Sequence, residues 1–190
     1  MIINPIVFHK SNMGERTSDL YSVLLSERII MLDEEINDIT ASAVVSQLLY
    51  LEHQDPKSEI YLYINSGGGK VTSGMGIIDV MRYIKPDVCT ICFGEAASMA
   101  AVILSSGEKG KRYAFKNTEI MIHQVKGSSW GQAADVEIRA ERLIEMNHNL
   151  LNILAENCGL SYEQLKENTD RDNFMSAEQA RDFGLIDVSL

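Results

Sequence analysis

The 190-residue sequence is poor in several residue types, with three cysteines, three prolines and one tryptophan. Its longest purely apolar stretch is a short alanine-rich segment around Met99, far below the ~20 residues that a membrane-spanning helix requires. Basic residues are also scarce, because 17 Lys and Arg stand against 27 Asp and Glu, for a formal net charge of −10. Nucleic-acid and anionic membrane surfaces are bound through clustered Lys and Arg. We therefore expect no nucleic acid and no membrane as partners.

The cysteines form no recognisable redox or metal motif. Cys89 and Cys92 have C-x-x-C spacing, but positions i and i+3 of a strand face opposite sides, and no second Cys or His pair lies nearby. We therefore interpret the cysteines as buried reduced thiols and expect no metal site. Residues 1–10 also lack the basic flank and apolar region of a secretory signal, which favours a cytoplasmic protein.

What the sequence does contain is an alternation of strands and helices. With 45% hydrophobic and 23% charged residues, the chain has the composition of one ordinary globular domain. Residues 28–32 resemble a strand, and helical spacing follows from an N-cap at Asp33 to the break at Asp55-Pro56. A strand at 60–64, a helix at 72–84 and a strand at 88–93 then repeat the unit. This βαβ order predicts an α/β fold with a parallel sheet.

The second half continues the pattern after an irregular arm at the beginning of the chain. We predict strands at 111–115 and 119–123, a loop rich in Gly and Ser at 124–131, and a helix at about 133–157. A short helix at 161–168 and a polar loop at 169–173 follow. Ser176-Ala177-Glu178-Gln179 is a capping box that opens a helix ending at Gly184, and residues 185–190 form a closing strand.

The glycine triplet Gly67-Gly68-Gly69 does not match a nucleotide-binding loop. Val71 replaces the Ser or Thr of a P-loop, and Thr72 stands where the last glycine of the dinucleotide motif belongs. A loop without side chains can still direct backbone N–H groups at a carbonyl oxygen.

Ser98 is a single polar residue among alanines, at the junction between the strand 88–93 and a helix. Such a serine is most often an N-cap or a small packing residue, and the hydrolase motif G-x-S-x-G is absent because Ala96 and Ala100 replace its glycines. His123 stands out among the four histidines, since it ends a strand and precedes a glycine loop. Together with an acid of the 170–172 loop, Ser98 and His123 could form a catalytic triad of nucleophile, base and acid. Such a triad is defined by the roles and geometry of its residues and not by their order in the chain.

Over essentially its whole length the sequence resembles the ClpP family, the proteolytic subunits of the ATP-dependent Clp proteases. The matching stretches are Gly14-Glu15-Arg16 with Tyr21-Ser22, residues 28–32, Tyr63-Ile64-Asn65-Ser66, Ala96-Ala97-Ser98-Met99, Met121-Ile122-His123-Gln124 and residues 169–176. The resemblance implies a serine endopeptidase that hydrolyses unfolded polypeptides to short peptides. It also implies a ClpP/crotonase-like fold, a repeated ββα superhelix with a protruding helix-strand handle at about 124–157. An N-terminal arm or axial loop at 1–19 would precede a single catalytic domain at 20–190.

The resemblance also assigns roles to residues. Ser98 would be the nucleophile, His123 the general base and acid, and Asp172 the residue that orients His123, with the backbone N–H groups of Gly68 and Met99 as the oxyanion hole. The remaining assignments are substrate binding by Gly69, Lys70, Val125 and Gly127, ring-to-ring contact by Asp170 and Arg171, and ATPase docking by Tyr61, Tyr63, Tyr83, Phe93, Phe115 and Leu190.

The implied assembly is two stacked seven-membered rings that enclose the active sites. An AAA+ Clp ATPase of the ClpX, ClpA or ClpC type would unfold substrates and use the ATP, so this chain needs no cofactor of its own.

Gly67, Lys116 and Val125 replace prolines usual in the family, and Lys126 places a charge in a normally apolar strand. These departures leave open a weakly active paralogue that works mainly in mixed rings. The sequence is also compatible with a non-catalytic scaffold subunit and with a crotonase-like acyl-CoA enzyme.

Overall fold

The computed structural model describes residues 5–11 and 14–190. The chain begins with an antiparallel hairpin of strands β1 (Ile6–Ser11) and β2 (Gly14–Asp19), paired from Ile6 opposite Asp19 to Ser11 opposite Gly14. The sequence pattern indicates an irregular arm here instead. Ile6, Val7 and Phe8 have the branched and aromatic side chains that favour strands, so the stretch forms a local pair outside the main sheet.

The first half of the main domain is a series of strand and helix units. Its elements are α1 (Leu20–Ser26), β3 (Ile29–Leu32), α2 (Asp38–Gln54), β4 (Ile60–Ser66), α3 (Val71–Tyr83), β5 (Val88–Ala97) and α4 (Met99–Ser105). Strands β3, β4 and β5 pair in parallel. The predicted α/β class with a mostly parallel sheet is thus confirmed, and the arrangement agrees with a ClpP-like fold.

The second half adds the elements β6 (Arg112–Ala114), β7 (Glu119–Ile122), α5 (Ala133–Cys158), α6 (Tyr162–Asn168), β8 (Asn173–Ser176), α7 (Ala177–Phe183) and β9 (Val188–Ser189). The main path of the sheet is β3-β4-β5-β6-β9. Strand β5 is long enough to pair with β6 near Cys92 and with β7 near Ala96, both in parallel. Strand β8 then pairs antiparallel with β7.

The sequence correctly predicts both ends of α7 but misplaces the N-cap of α2. The predicted capping box at Ser176 is present, and α7 ends at Gly184 with a left-handed φ of 93°. Asp33, however, is not the N-cap of α2. Asn37 caps it through a capping box with Thr40, because the chain must first carry Ile36 into a bridge with Gly69.

Of the predicted helix-strand handle, the structure contains the helix, α5, but not the strand. Residues 124–131 contain no strand, because the described chain offers them no strand neighbour; Val125 N–H instead donates to Asn147 Oδ1 at 2.9 Å. Helix α5 is mostly exposed over its first two thirds, and it buries Leu150, Leu151 and Leu154 near its end. In the described ranges 5–11 and 14–190, no helix combines the length and apolarity needed to cross a membrane.

Candidate active site

Two neighbouring parallel strands bring Ser98 and His123 together. Ser98 follows β5 and His123 follows β7, and the two strands pair from Glu95 opposite Glu119 to Ala97 opposite Met121. The backbone N–H of Ser98 extends this ladder by donating to the Met121 carbonyl at 2.8 Å. His123 Nε2 consequently lies 2.7 Å from Ser98 Oγ, a distance at which the imidazole can accept the hydroxyl proton.

Ser98 has a backbone conformation that residues with a side chain rarely adopt. Its φ is 56° and its ψ is −124°, and its side chain makes no capping hydrogen bond to α4. The interpretation of Ser98 as a side-chain N-cap is therefore wrong. Non-glycine residues in such regions cost of order 1–3 kcal/mol and cluster at functional sites. Here the sharp turn directs the hydroxyl to His123.

Strand β8 determines where Asp172 lies. Because Asn173 is opposite Ile122 in the antiparallel β7·β8 pair, the residue before Asn173 comes beside the residue after Ile122. Asp172 Oδ1 thus lies 3.6 Å from His123 Nδ1, which is longer than a hydrogen bond. The same oxygen accepts a hydrogen bond from Lys126 Nζ at 2.9 Å. His123 Nδ1 is buried and has no hydrogen-bond partner among the described residues.

The charges around His123 act in opposite directions. Burial lowers the pKa of His123, the Lys126 ammonium lowers it further, and Asp172 raises it by less. The hydrogen bond from Lys126 in turn lowers the pKa of Asp172, against the effect of desolvation. His123 is therefore neutral near pH 7, as a general base must be.

Gly68 lies against the backbone on which Ser98 is carried. A Cβ atom at Gly68 would come 2.6 Å from the Ala97 carbonyl oxygen and 3.0 Å from the Met99 nitrogen, and the φ of Gly68 is 96°. Only glycine fits this position. The Gly68 N–H donates to Ser66 Oγ at 3.2 Å, a long bond that an incoming oxyanion could replace.

Ile36 holds the next two residues of the glycine loop. The Ile36 N–H donates to the Gly68 carbonyl at 2.8 Å, and the Lys70 N–H donates to the Ile36 carbonyl at 2.7 Å. In this parallel bridge the hydrogen bonds of Ile36 go to the residues on either side of Gly69, so Ile36 does not use the backbone N–H and carbonyl of Gly69 itself. The Lys70 side chain forms an ion pair with Asp38 at 2.7 Å. No sequence pattern assigns Ile36 a part in this loop.

A cavity of about 320 Å³ opens beside Ser98 and His123. Gly69, Val125 and Lys126 line this cavity, and its apolar lining includes Val71, Val102, Leu150, Leu151 and Leu154. Gly127 lines a neighbouring cavity of about 630 Å³ together with residues 170–172. Three of the four predicted substrate residues, Gly69, Val125 and Gly127, thus border adjoining spaces, with Lys126 in both linings, whereas Lys70 lines neither.

The sequence matches the family model described as Clp protease over residues 12–189. The chain belongs to the Clp protease family. It is therefore a Clp-type serine peptidase, a hydrolase, and the family match covers every site residue predicted from the sequence except Leu190.

Within this Clp protease chain, Asp170 and Arg171 lie on the surface. Arg171 Nε is 3.5 Å from Asp170 Oδ2, and the side chains of Arg171 and Asp170 are 91% and 67% exposed, respectively. Their predicted role in ring contact stays a prediction, since the structure contains one protomer.

Three of the six predicted docking residues share an apolar surface groove in the Clp protease chain. Tyr63, Phe93 and Phe115 line a space of about 420 Å³ with Leu24, Ile29 and Met31, and the Tyr63 and Phe93 ring centroids are 6.3 Å apart. Tyr61, Tyr83 and Leu190 are exposed outside that lining. Ile29 and Met31 could have been added from their alternation along β3, whereas Leu24 lies on α1, which no sequence signal indicated.

The cysteines of this Clp protease chain are unpaired. Burial raises the pKa of Cys89, Cys92 and Cys158 to about 12, so these thiols are protonated and unreactive near neutral pH. Throughout residues 5–11 and 14–190, no group of three or more His, Cys, Asp or Glu is placed to hold a metal ion.

Proposed function

We propose that this chain is the proteolytic subunit of a Clp protease, a serine endopeptidase that cuts unfolded polypeptides into short peptides. The observation that carries the proposal is the 2.7 Å contact between His123 Nε2 and Ser98 Oγ, made at a turn where Ser98 has a positive φ. Packing alone does not require a serine in a strained conformation beside a histidine.

The proposed mechanism assigns each bond change to one of these residues. Ser98 Oγ attacks the peptide carbonyl carbon while His123 Nε2 takes its proton, and the backbone N–H groups of Gly68 and Met99 stabilise the oxyanion. His123 then gives the proton to the leaving amine. A water molecule, deprotonated by His123, attacks the acyl carbon, and His123 returns this proton to Ser98 Oγ as the acyl group leaves. Asp172 orients His123 and stabilises the imidazolium.

The substrate would bind as an added strand between the glycine loop and the start of the handle. Ile36 does not use the backbone groups of Gly69, and Gly69 and Val125 line the same cavity. Gly127 would extend the edge on the handle side, whereas Lys70, whose N–H and carbonyl are bonded to Ile36 and Gly74, would adjoin the substrate strand without pairing. Backbone pairing of this kind accepts any unfolded sequence, and the apolar part of the cavity would take an apolar side chain next to the cleaved bond.

The assembly would consist of two stacked seven-membered rings, homomeric or mixed with a paralogue. Asp170 and Arg171 would contact the opposite ring, and the exposed Ile138 and Ile144 of α5 would be covered there. An AAA+ Clp ATPase would dock at the apolar groove and pass unfolded protein through a pore lined by the N-terminal hairpin. ATP would be used by that partner, so no cofactor is assigned to this chain.

One observation favours a second possibility, a weakly active paralogue that works mainly in mixed rings. It is the 3.6 Å separation of His123 and Asp172, which leaves the predicted triad incompletely bonded in the single protomer. A crotonase-like function has less support, because it requires acidic groups near the oxyanion hole. No Asp or Glu is found among the described residues that line the cavity at Ser98.

The test is the replacement Ser98→Ala, assayed with a short fluorogenic peptide and a fluorophosphonate label. Loss of the nucleophile should reduce kcat by about 10⁶-fold, with His123→Ala similar and Asp172→Asn less severe. Labelling should disappear in Ser98→Ala, while native mass and unfolding temperature stay unchanged. Turnover equal to the parent in Ser98→Ala, with contamination excluded, would disprove the mechanism.

A further inference from the structure

Lys126, and not His123, forms the close contact with the Asp172 carboxylate. Its Nζ lies 2.9 Å from Asp172 Oδ1, while the same oxygen is 3.6 Å from His123 Nδ1. The Nδ1 atom is buried and unpartnered among the described residues, although a buried N–H normally has an acceptor. The carboxylate oxygen is therefore bonded to the Lys126 cation and lies too far from the imidazole for a hydrogen bond.

The charge of Lys126 also opposes the chemistry required of His123. An imidazolium must form when His123 takes the Ser98 proton, and a nearby cation disfavours it. The effect of Lys126 on the pKa of His123 exceeds the opposing effect of Asp172. The other charged groups lining the adjoining cavity, Asp170 and Arg171, are 3.5 Å from one another.

The position of Lys126 allows this contact to be broken. Lys126 lies in the loop at 124–131, which forms no strand, and its side chain is 65% exposed and lines both cavities. Exposed ion pairs are weak. A change in this loop can therefore release Asp172 without disturbing the core.

We propose that Lys126 is a positioning residue that holds Asp172 away from His123 in the resting protomer and so limits turnover. The inference rests on the proposed function, since it presupposes Ser98 as nucleophile. When Lys126 leaves Asp172, the carboxylate closes on His123 Nδ1 and the imidazolium gains its counter-charge.

The test compares Lys126→Met, which removes the ammonium and keeps the side-chain length, with Lys126→Arg, which keeps the positive charge. Lys109→Met is the matched control, since Lys109 is an exposed lysine in the turn between α4 and β6. Loss of the triad acid costs about 10⁴-fold in kcat where it has been measured, so partial restoration should raise kcat of Lys126→Met about tenfold. KM should stay within about twofold, Lys126→Arg should give no gain in kcat because it keeps the positive charge, and Lys109→Met should match the parent.

The pH profile distinguishes positioning from a general structural effect. Removing the ammonium removes the larger charge effect on His123, so its pKa rises, and the acid limb of kcat should shift to higher pH in Lys126→Met. In an Asp172→Asn background the gain from Lys126→Met should be much smaller, because only the direct charge effect of Lys126 on His123 is left to remove. A kcat equal to or below the parent value, or an equal gain in the Asp172→Asn background, would overturn the inference.

The rate of fluorophosphonate labelling separates failure of this inference from failure of the proposed function. If Ser98 labels in the parent and Lys126→Met does not accelerate labelling or turnover, the inference alone is wrong. If Ser98 labels in neither protein, the proposed function fails, and the inference fails with it. Faster labelling of Lys126→Met at unchanged native mass supports both.

Discussion

The positive φ of Ser98 requires small neighbours. Ala96, Ala97, Ala100 and Ala101 surround the turn and are all buried, so backbone packs directly against backbone on both sides of the hydroxyl. Gly68 completes this packing from the adjacent loop. The small residues that made Ser98 conspicuous in the sequence are thus a steric requirement of the turn.

The first residue-scale prediction compares Gly68→Ala with Gly67→Ala. At Gly68 a Cβ would come 2.8 Å from Ser98 Cβ, whereas at Gly67 its nearest neighbour is Glu95 Oε1 at an ordinary 3.4 Å. Displacing one oxyanion donor costs about 10²–10³ in kcat, so Gly68→Ala should lose that much peptidase activity. Gly67→Ala should keep kcat within about threefold and raise the free energy of unfolding by about 0.4–1 kcal/mol.

Peptide kinetics and urea denaturation of the two variants check this comparison. The Gly67→Ala protein serves as the control for any general effect of adding a methyl group to the loop. Full kcat in Gly68→Ala would show that the Gly68 backbone does not contact the reacting carbonyl.

At the scale of elements, the sequence predicted the strands and helices that have their own periodicity. It also placed Ser98 at a strand-to-helix junction and His123 at the end of a strand. That these two strands are parallel neighbours was not predicted and comes from the pairing of β5 with β7. It did not predict β8, because four residues beginning with Asn173 carry no alternating pattern, and their strand exists only through pairing with β7. The position of Asp172 beside His123 depends on that pairing, so the family resemblance supplied it and the periodicity did not.

The contact between Lys126 and Asp172 could not be predicted from the sequence for a different reason. The sequence shows a lysine three residues after His123, but helical or strand spacing cannot reveal a contact made by a loop. The ion pair with Asp172 depends on the antiparallel register of β8, which brings residue 172 back to the start of that loop. Only the structure places the two charges together.

The element-scale prediction concerns Arg112 on β6, whose side chain is 4% exposed. It forms two bonds to Asp187, Nε to Oδ2 at 2.8 Å and Nη2 to Oδ1 at 2.6 Å. Its Nη1 donates to the carbonyls of Ser105, Asn157 and Gly184, which belong to α4, to α5 and to the end of α7. Arg112→Met should lower the free energy of unfolding by about 3 kcal/mol, because it removes the counter-charge of the Asp187 carboxylate, which keeps only the backbone N–H groups of Gly110 and residue 112 as donors, and leaves three carbonyls without the Arg112 donor.

Acid denaturation provides a second measurement of this ion pair. Burial by itself would raise the pKa of Asp187, but the hydrogen bonds and charge of Arg112 lower it overall. The stabilisation is thus complete above the unfolded carboxyl pKa of about 3.9 and is lost as the pH falls through the lower folded value. Asp187→Asn should flatten this part of the stability curve. An Arg112→Met protein as stable as the parent in urea would contradict the proposed role of the pair.

At the scale of the whole molecule, several large apolar side chains are exposed to solvent in the single protomer. Ile138 and Ile144 on α5 are 63% and 70% exposed, and Trp130 beside them is 85% exposed. The groove of Tyr63, Phe93 and Phe115 lies on a different set of elements. Exposed apolar side chains that lie together mark interaction sites, so the groove is a candidate for the proposed ATPase contact, and the exposed apolar residues of α5 are candidates for the proposed ring contact.

The last prediction separates the groove from the active site. Tyr63 lines the groove with Phe93 but not the cavity at Ser98, so Tyr63→Ala should remove docking area and leave the peptidase chemistry intact. We expect short-peptide cleavage within about twofold of the parent and ATPase-driven degradation of a folded substrate reduced at least tenfold, as for a central aromatic of an interface. Tyr50→Ala is the control, because Tyr50 is a half-exposed tyrosine on α2 outside the groove lining. Equal loss of both activities in Tyr63→Ala would mean that Tyr63 supports the fold of the active site, and unchanged degradation of the folded substrate would place ATPase docking elsewhere.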